Sequence, residues 1–136
     1  MPCHDKKVYQ SPEAPAAIGP YSVAAGGGPF VFTAGQTPID PATGNLVEGG
    51  IEAQTRQVLC NLQAVLKSSS SCLENVVKTT VYLRDMQDFS AMNQVYAEFF
   101  SKNPPARTTV AVSGLPKNAL VEIDLIALLC SDCDCE

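Results

Sequence analysis

Two periodicities alternate along the chain, the pattern of a mixed sheet with helices laid on it. From Ile51 onward, Thr55, Val58, Leu59, Leu62, Val65 and Leu66 recur three and four apart, with Glu52, Arg56, Gln57 and Gln63 between them. That spacing predicts an amphipathic helix ending at the serine run 68–71. A second helix is predicted after Asp88, a candidate cap, with Phe89, Met92, Val95, Tyr96 and Phe99 as its apolar stripe and Asn103-Pro104-Pro105 as its stop. Aromatic and Met residues at that spacing read as core. Period-two segments fill the rest. Phe30 to Thr33, between a Gly26-Gly27-Gly28 run and Pro38, reads as a strand paired with residues 21–25. In residues 76–83, Val77, Thr79, Val81 and Leu83 are expected on one face. Asp40-Pro41-Ala42-Thr43-Gly44-Asn45 and Gly49-Gly50 have the chemistry of turns. Residues 108–112 and 120–129 read as two further strands.

The expected order is therefore ββ-α-β-α-ββ, an α+β domain with two helices packed on one face of a mixed sheet. Its other face needs cover. In the last strand Val121, Ile123, Leu125, Ala127 and Leu129 make one apolar face, while the opposite face runs Glu122, Asp124, Ile126, Leu128. A solvated face does not normally gain Ile and Leu together. Either this strand is central and covered twice, or its second face meets another subunit.

Composition narrows the function classes. At 136 residues, one domain is expected, spanning 1–129, followed by a Cys-rich C-terminal tail, 130–136. Nine basic side chains against fourteen acidic ones leave no broad cationic surface for a nucleic-acid backbone. The N-terminus MPCHDKK has no apolar h-region, and nowhere do eighteen apolar residues run together. A soluble, cytoplasmic protein with no membrane partner is expected. Six cysteines, at 3, 60, 72, 130, 133 and 135, are unevenly placed, and reduced thiols are expected. Cys130, Cys133 and Cys135, with Cys3 and His4, could offer soft zinc ligands, but no second cluster stands at a defined spacing. The plainer reading is a thiol-bearing tail, dispensable for folding and turnover.

Familiar catalytic signatures are few. The single histidine, His4, stands near the terminus, and no GK[ST] phosphate loop or GxGxxG appears. What stands out is a polar pair placed on adjacent strands, Arg107 beside Thr108-Thr109 and Glu122 in Val-Glu-Ile-Asp. The planar guanidinium fork suits a carboxylate ligand, and a neighbouring carboxylate can take a proton from water. From spacing alone the plainer reading of the same pair is a cross-strand ion pair or a solvated edge.

A resemblance bears on that choice. Ala17-Ile18-Gly19-Pro20-Tyr21-Ser22, Phe32-Thr33-Ala34-Gly35-Gln36, Val76-Val77-Lys78-Thr79-Thr80-Val81, Pro105-Ala106-Arg107-Thr108-Thr109 and Leu115-Pro116-Lys117 through Val121-Glu122-Ile123 resemble, in order, the successive signatures of the RidA (YjgF) family. The likeness runs from about Glu13 to Leu129. It implies a chorismate-mutase-like fold, a homotrimer with active sites in clefts between subunits, and hydrolysis of 2-iminopropanoate and 2-iminobutanoate to 2-oxo acids and ammonia. By resemblance Arg107 takes the substrate carboxylate, Glu122 orients the water and Tyr21 closes the pocket, with Ala34, Gly35, Asn93 and Thr109 lining it. Relatives often carry serine where Ala34 stands and sometimes cysteine where Thr109 stands. No metal or other cofactor is implied. Two further readings stay open: a regulatory module that binds a 2-oxo acid without turnover, and an RNA-cleaving translation inhibitor, against which the acidic balance weighs.

Overall fold

The computed structural model describes residues 5–130. The strands are β1 (Lys7–Tyr9), β2 (Ala24–Gly27), β3 (Phe30–Thr33), β4 (Ile39–Asp40), β5 (Asn45–Leu46), β6 (Val76–Leu83), β7 (Ala106–Ala111) and β8 (Val121–Leu128). The helices are α1 (Ile51–Ser68) and α2 (Phe89–Phe99). Six strands form one mixed sheet in the order β1-β2-β3-β8-β6-β7, in which only β6 and β7 run parallel. The β2–β3 hairpin turns at Gly28, whose φ of 57° suits a residue without a side chain. β4 and β5 form a separate small hairpin, its turn begun by Asp40 Oδ1 accepting from the Ala42 N–H at 2.9 Å. Neither β1 nor this hairpin is apparent in the hydrophobic pattern, because segments of two or three residues hold too few alternations to register.

Both helices lie on one face. Val58, Leu59, Leu62, Val65 and Leu66 of α1 and Met92 of α2 pack with Val81, Leu83, Val121, Ile123 and Leu125 into one core. Fully burying such a side chain is worth roughly 1.5–3 kcal/mol, so this stripe anchors the helices to the sheet. α1 ends where Ser70 turns left-handed, φ 58°, letting the Ser71 N–H reach Leu66 O at 2.8 Å.

Three expectations need correction. Val77 does not share the inner face of β6. A bulge between Val76 and Lys78 turns it outward to 41 % exposure, and Val76 takes the inner position. Asp88 precedes α2 but makes no side-chain cap; Asp85 instead accepts from the Gln87 N–H, at 2.9 Å, and starts a short 3-10 turn that leads into the helix. Arg107 and Glu122 are not on adjacent strands. The parallel β6-α2-β7 crossover sets β7 outside β6, and the chain then returns to place β8 on β6's other side.

The face away from the helices carries Phe30, Phe32, Ile126, Leu128 and Val110 around Lys78, Thr80, Tyr82 and Asp124, as strand alternation and register require. Among the described residues Phe32 is left 45 % exposed. β8 is thus both central in its sheet and open on its second face. Among the described residues no helix is long and apolar enough to cross a membrane.

Candidate active site

Glu122 opens the outward face of β8. Beside it the chain segment after β3 is locked in place: the Gln36 N–H donates to Ile123 O at 2.9 Å, and the Ile123 N–H returns to Gln36 O at 3.2 Å. This bridge carries Gly35 against the Glu122 side chain. A Cβ there would overlap Glu122 Oε2 and stand 2.9 Å from Cδ and 3.1 Å from Cγ. Only glycine leaves room for the carboxylate. In front lies a hollow of about 350 Å³ bounded by Tyr21, Ala34, Gly35, Ile39, Lys117 and Glu122. Tyr21 is half-exposed, and its hydroxyl accepts from the Ile18 N–H at 3.4 Å.

Burial holds the Glu122 carboxyl above the usual carboxylate range, and the like charge of Asp124, two residues along the same face, adds to it. Asp124 in turn accepts from the Tyr82 hydroxyl at 2.9 Å, and Tyr82 stands directly across from Glu122 on β6. A carboxylate so placed binds a proton more tightly than a free one, as a general base near neutral pH requires.

Arg107 belongs to a second cluster. On β7 it pairs in register with Thr79, whose side chain is buried beneath α2, so both point toward the helices. Its guanidinium carbon lies 4.7 Å from the Tyr96 ring centroid and 5.6 Å from that of Phe89. A guanidinium held by cation–π contact keeps its N–H donors, which can bind a ligand. The Tyr96 hydroxyl is bonded to Thr79 Oγ1 at 2.8 Å, which fixes the ring, and burial raises its pKa. Asn93, on the same side of α2 as Phe89 and Tyr96, and Thr109, next on the same side of β7, each bury an oxygen with no hydrogen-bond partner among the described residues, Oδ1 and Oγ1 respectively. The guanidinium N–H groups and the Thr109 hydroxyl can donate to a carboxylate, while Asn93 Oδ1 can accept from an N–H of the same ligand.

The residues singled out from sequence thus fall into two groups. Tyr21, Ala34, Gly35 and Glu122 meet in one hollow; Arg107, Asn93 and Thr109 meet under α2. β6 separates the groups, and they face opposite sides of the sheet, which excludes the cross-strand ion pair within one protomer. Pattern reading missed three residues. Lys117, in a left-handed conformation (φ 54°), borders the hollow. Phe89 and Tyr96 read only as core, because helical spacing cannot tell a core aromatic from one that also seats a cation.

Among the described residues no cluster of His, Cys, Asp or Glu could hold a metal ion. Cys3, His4, Cys133 and Cys135 lie outside them. The thiol expectation holds at Cys60 but not at Cys72, which is disulfide-bonded.

A family model described as Endoribonuclease L-PSP matches residues 11–129. A RutC family protein of Pyrococcus horikoshii is 54 % identical over 122 residues, covering 90 % of this chain and 97 % of its own. A 2-iminobutanoate/2-iminopropanoate deaminase of Mus musculus is 43 % identical over 123 residues, covering 90 % of this chain and 91 % of its own. The solved structure of a Yersinia pestis protein of the conserved Rid family is 47 % identical, with a TM-score of 0.88, and covers 92 % of this chain and 100 % of that one.

Proposed function

The chain belongs to the endoribonuclease L-PSP, or Rid, family, and on that premise we propose that it hydrolyses small 2-imino acids such as 2-iminopropanoate and 2-iminobutanoate to 2-oxo acids and ammonia. The observation that carries this reading is the pairing of chemistries: a guanidinium beside the unsatisfied Asn93 and Thr109, and a carboxyl of raised proton affinity in a small, largely apolar hollow. The mouse relative's name supplies the substrate class.

In this mechanism the Arg107 fork holds the substrate carboxylate and so fixes C2. Glu122 takes a proton from water as the water oxygen bonds to C2 of the protonated imine, giving a carbinolamine. Glu122 returns that proton to the amino nitrogen, the C–N bond breaks with its electron pair leaving on ammonia, and the carboxylate takes the proton of the C2 hydroxyl as the 2-oxo group forms. A positioned base of this kind contributes roughly a hundred- to ten-thousand-fold. Tyr21, at the mouth of the hollow, closes it over the substrate. No cofactor enters.

Because Arg107 and Glu122 face opposite sides of the sheet, the working site combines Arg107, Asn93 and Thr109 of one copy with Tyr21, Gly35 and Glu122 of a neighbour. A homotrimer joined through the uncovered apolar face meets that need. The test is complementation. Arg107→Ala and Glu122→Gln are each expected to lose turnover of imine generated in situ by a dehydratase. Unfolded together and refolded as mixed oligomers, they should regain a substantial part of it, since some interfaces then carry two wild-type halves. Two inactive variants whose mixed oligomers stay inactive would overturn the shared site.

A further inference from the structure

The face of α1 that meets the sheet is interrupted by two buried amides, Gln54 and Asn61, seven residues apart and 7 % and 1 % exposed. Apolar residues surround both, and burying an amide is costly unless its hydrogen bonds are made. Asn61 Nδ2 donates to Thr37 O at 3.2 Å and to Ile39 O at 2.9 Å. Its Oδ1 accepts from Gln57 Nε2 at 2.9 Å, which directs the amide nitrogen toward those two carbonyls. Gln54 Oε1 accepts from the Leu120 N–H at 2.8 Å, two residues before Glu122. The two amides thus hold the two chain segments that flank the hollow: Thr37 and Ile39 are part of its wall, and Leu120 leads into the strand that carries Glu122.

We propose that Asn61, oriented by Gln57, is a positioning residue that sets the Thr37–Ile39 wall of the substrate hollow, with Gln54 as its counterpart on the Glu122 side. The inference rests on the function proposed above, because it assigns these amides a role in substrate fit. Leucine would fill the Asn61 site as well and would avoid the desolvation of an amide. The amide adds two donors to a turn in which the Thr37 carbonyl already accepts from the Ile39 N–H at 2.8 Å and the Gln36 carbonyl from the Ile123 N–H at 3.2 Å, and so ties that turn to α1.

Two variants separate this role from simple packing. Asn61→Leu removes both donors while keeping the branched, four-atom shape of the side chain. Gln57→Glu, at a partly exposed position, presents an acceptor to Oδ1 and so turns the Asn61 amide over, pointing its oxygen at the two carbonyls. Both are expected to raise KM, and the dissociation constant of 2-oxobutanoate, roughly five- to twentyfold with kcat changed less than threefold. Val65→Ala, a buried truncation elsewhere on α1, should lower Tm without moving KM. The inference is overturned if Gln57→Glu folds and leaves KM and 2-oxobutanoate affinity within twofold of wild type, or if Val65→Ala shifts them equally. Should wild type neither turn over imine nor bind 2-oxobutanoate, the functional reading falls. Amide exchange at residues 36–39 then decides this one: faster exchange in Gln57→Glu supports the clamp, and unchanged exchange refutes it.

Discussion

Gly35→Ala isolates the role of Glu122 without touching its side chain. The added methyl would overlap Oε2 and stand 2.9 Å from Cδ and 3.1 Å from Cγ, so something must give. The backbone on the Gly35 side is held by the reciprocal Gln36–Ile123 bonds, whereas the Glu122 carboxyl is the far end of a flexible, half-buried side chain. The carboxyl therefore moves, by about 1 Å or more, to restore ordinary contact. Displacing a catalytic group by that distance costs on the order of a hundredfold in rate, equivalent to about 2.7 kcal/mol of transition-state stabilisation. Because the strain is relieved by rotamer change and the core is untouched, stability should fall by no more than about 1 kcal/mol. Steady-state release of 2-oxo acid, with imine supplied in situ, should therefore show kcat down about a hundredfold, against a Tm within a few degrees of wild type. Wild-type turnover in Gly35→Ala would refute the assignment of Glu122 as base. A collapse of Tm instead would place the rigidity on the wrong partner.

Glu122 also makes a pH prediction. Its carboxyl holds a proton more tightly in the folded chain than unfolded, through burial and then Asp124, so activity that needs the ionised form should fall on an acid limb lying above the usual carboxylate pKa of about 4.3. The same shift means that ionisation costs stability as pH rises from the unfolded pKa through the folded one. Glu122→Gln should thus be inactive yet melt higher than wild type at neutral pH, with the gain vanishing as pH falls toward 4; an unchanged Tm difference across that range would contradict it. Phe32→Glu, on the exposed apolar face, should leave a monomer in light scattering where the proposed trimer requires wild type to be trimeric, and abolish turnover while circular dichroism stays native; a trimer persisting in the variant would remove that face from the proposed interface.

Much of the fold could be read in the chain because burial on one side imposes a period. The repeats through Val58, Leu62 and Val65, and through Val121, Ile123 and Leu125, fixed α1 and β8 by local physics alone. Family motifs likewise pointed to Tyr21, Gly35, Arg107 and Glu122. Three things depended on the tertiary structure. The bulge at Val77 arises from matching β6 to β8, which no single strand encodes. Strand order depends on where the β6-α2-β7 crossover places its return, so β6 came between Arg107 and Glu122 although their strands follow one another in sequence, and the register on β6, Thr79 with Arg107 and Tyr82 with Glu122, set them on opposite faces. The contacts of Asn61, Gln54 and Tyr96 stayed hidden for the same reason: a polar or aromatic residue inside a helical stripe shows only that it is buried, while its hydrogen-bond partner lies 17 to 66 residues away and is met only once the chain has closed around it.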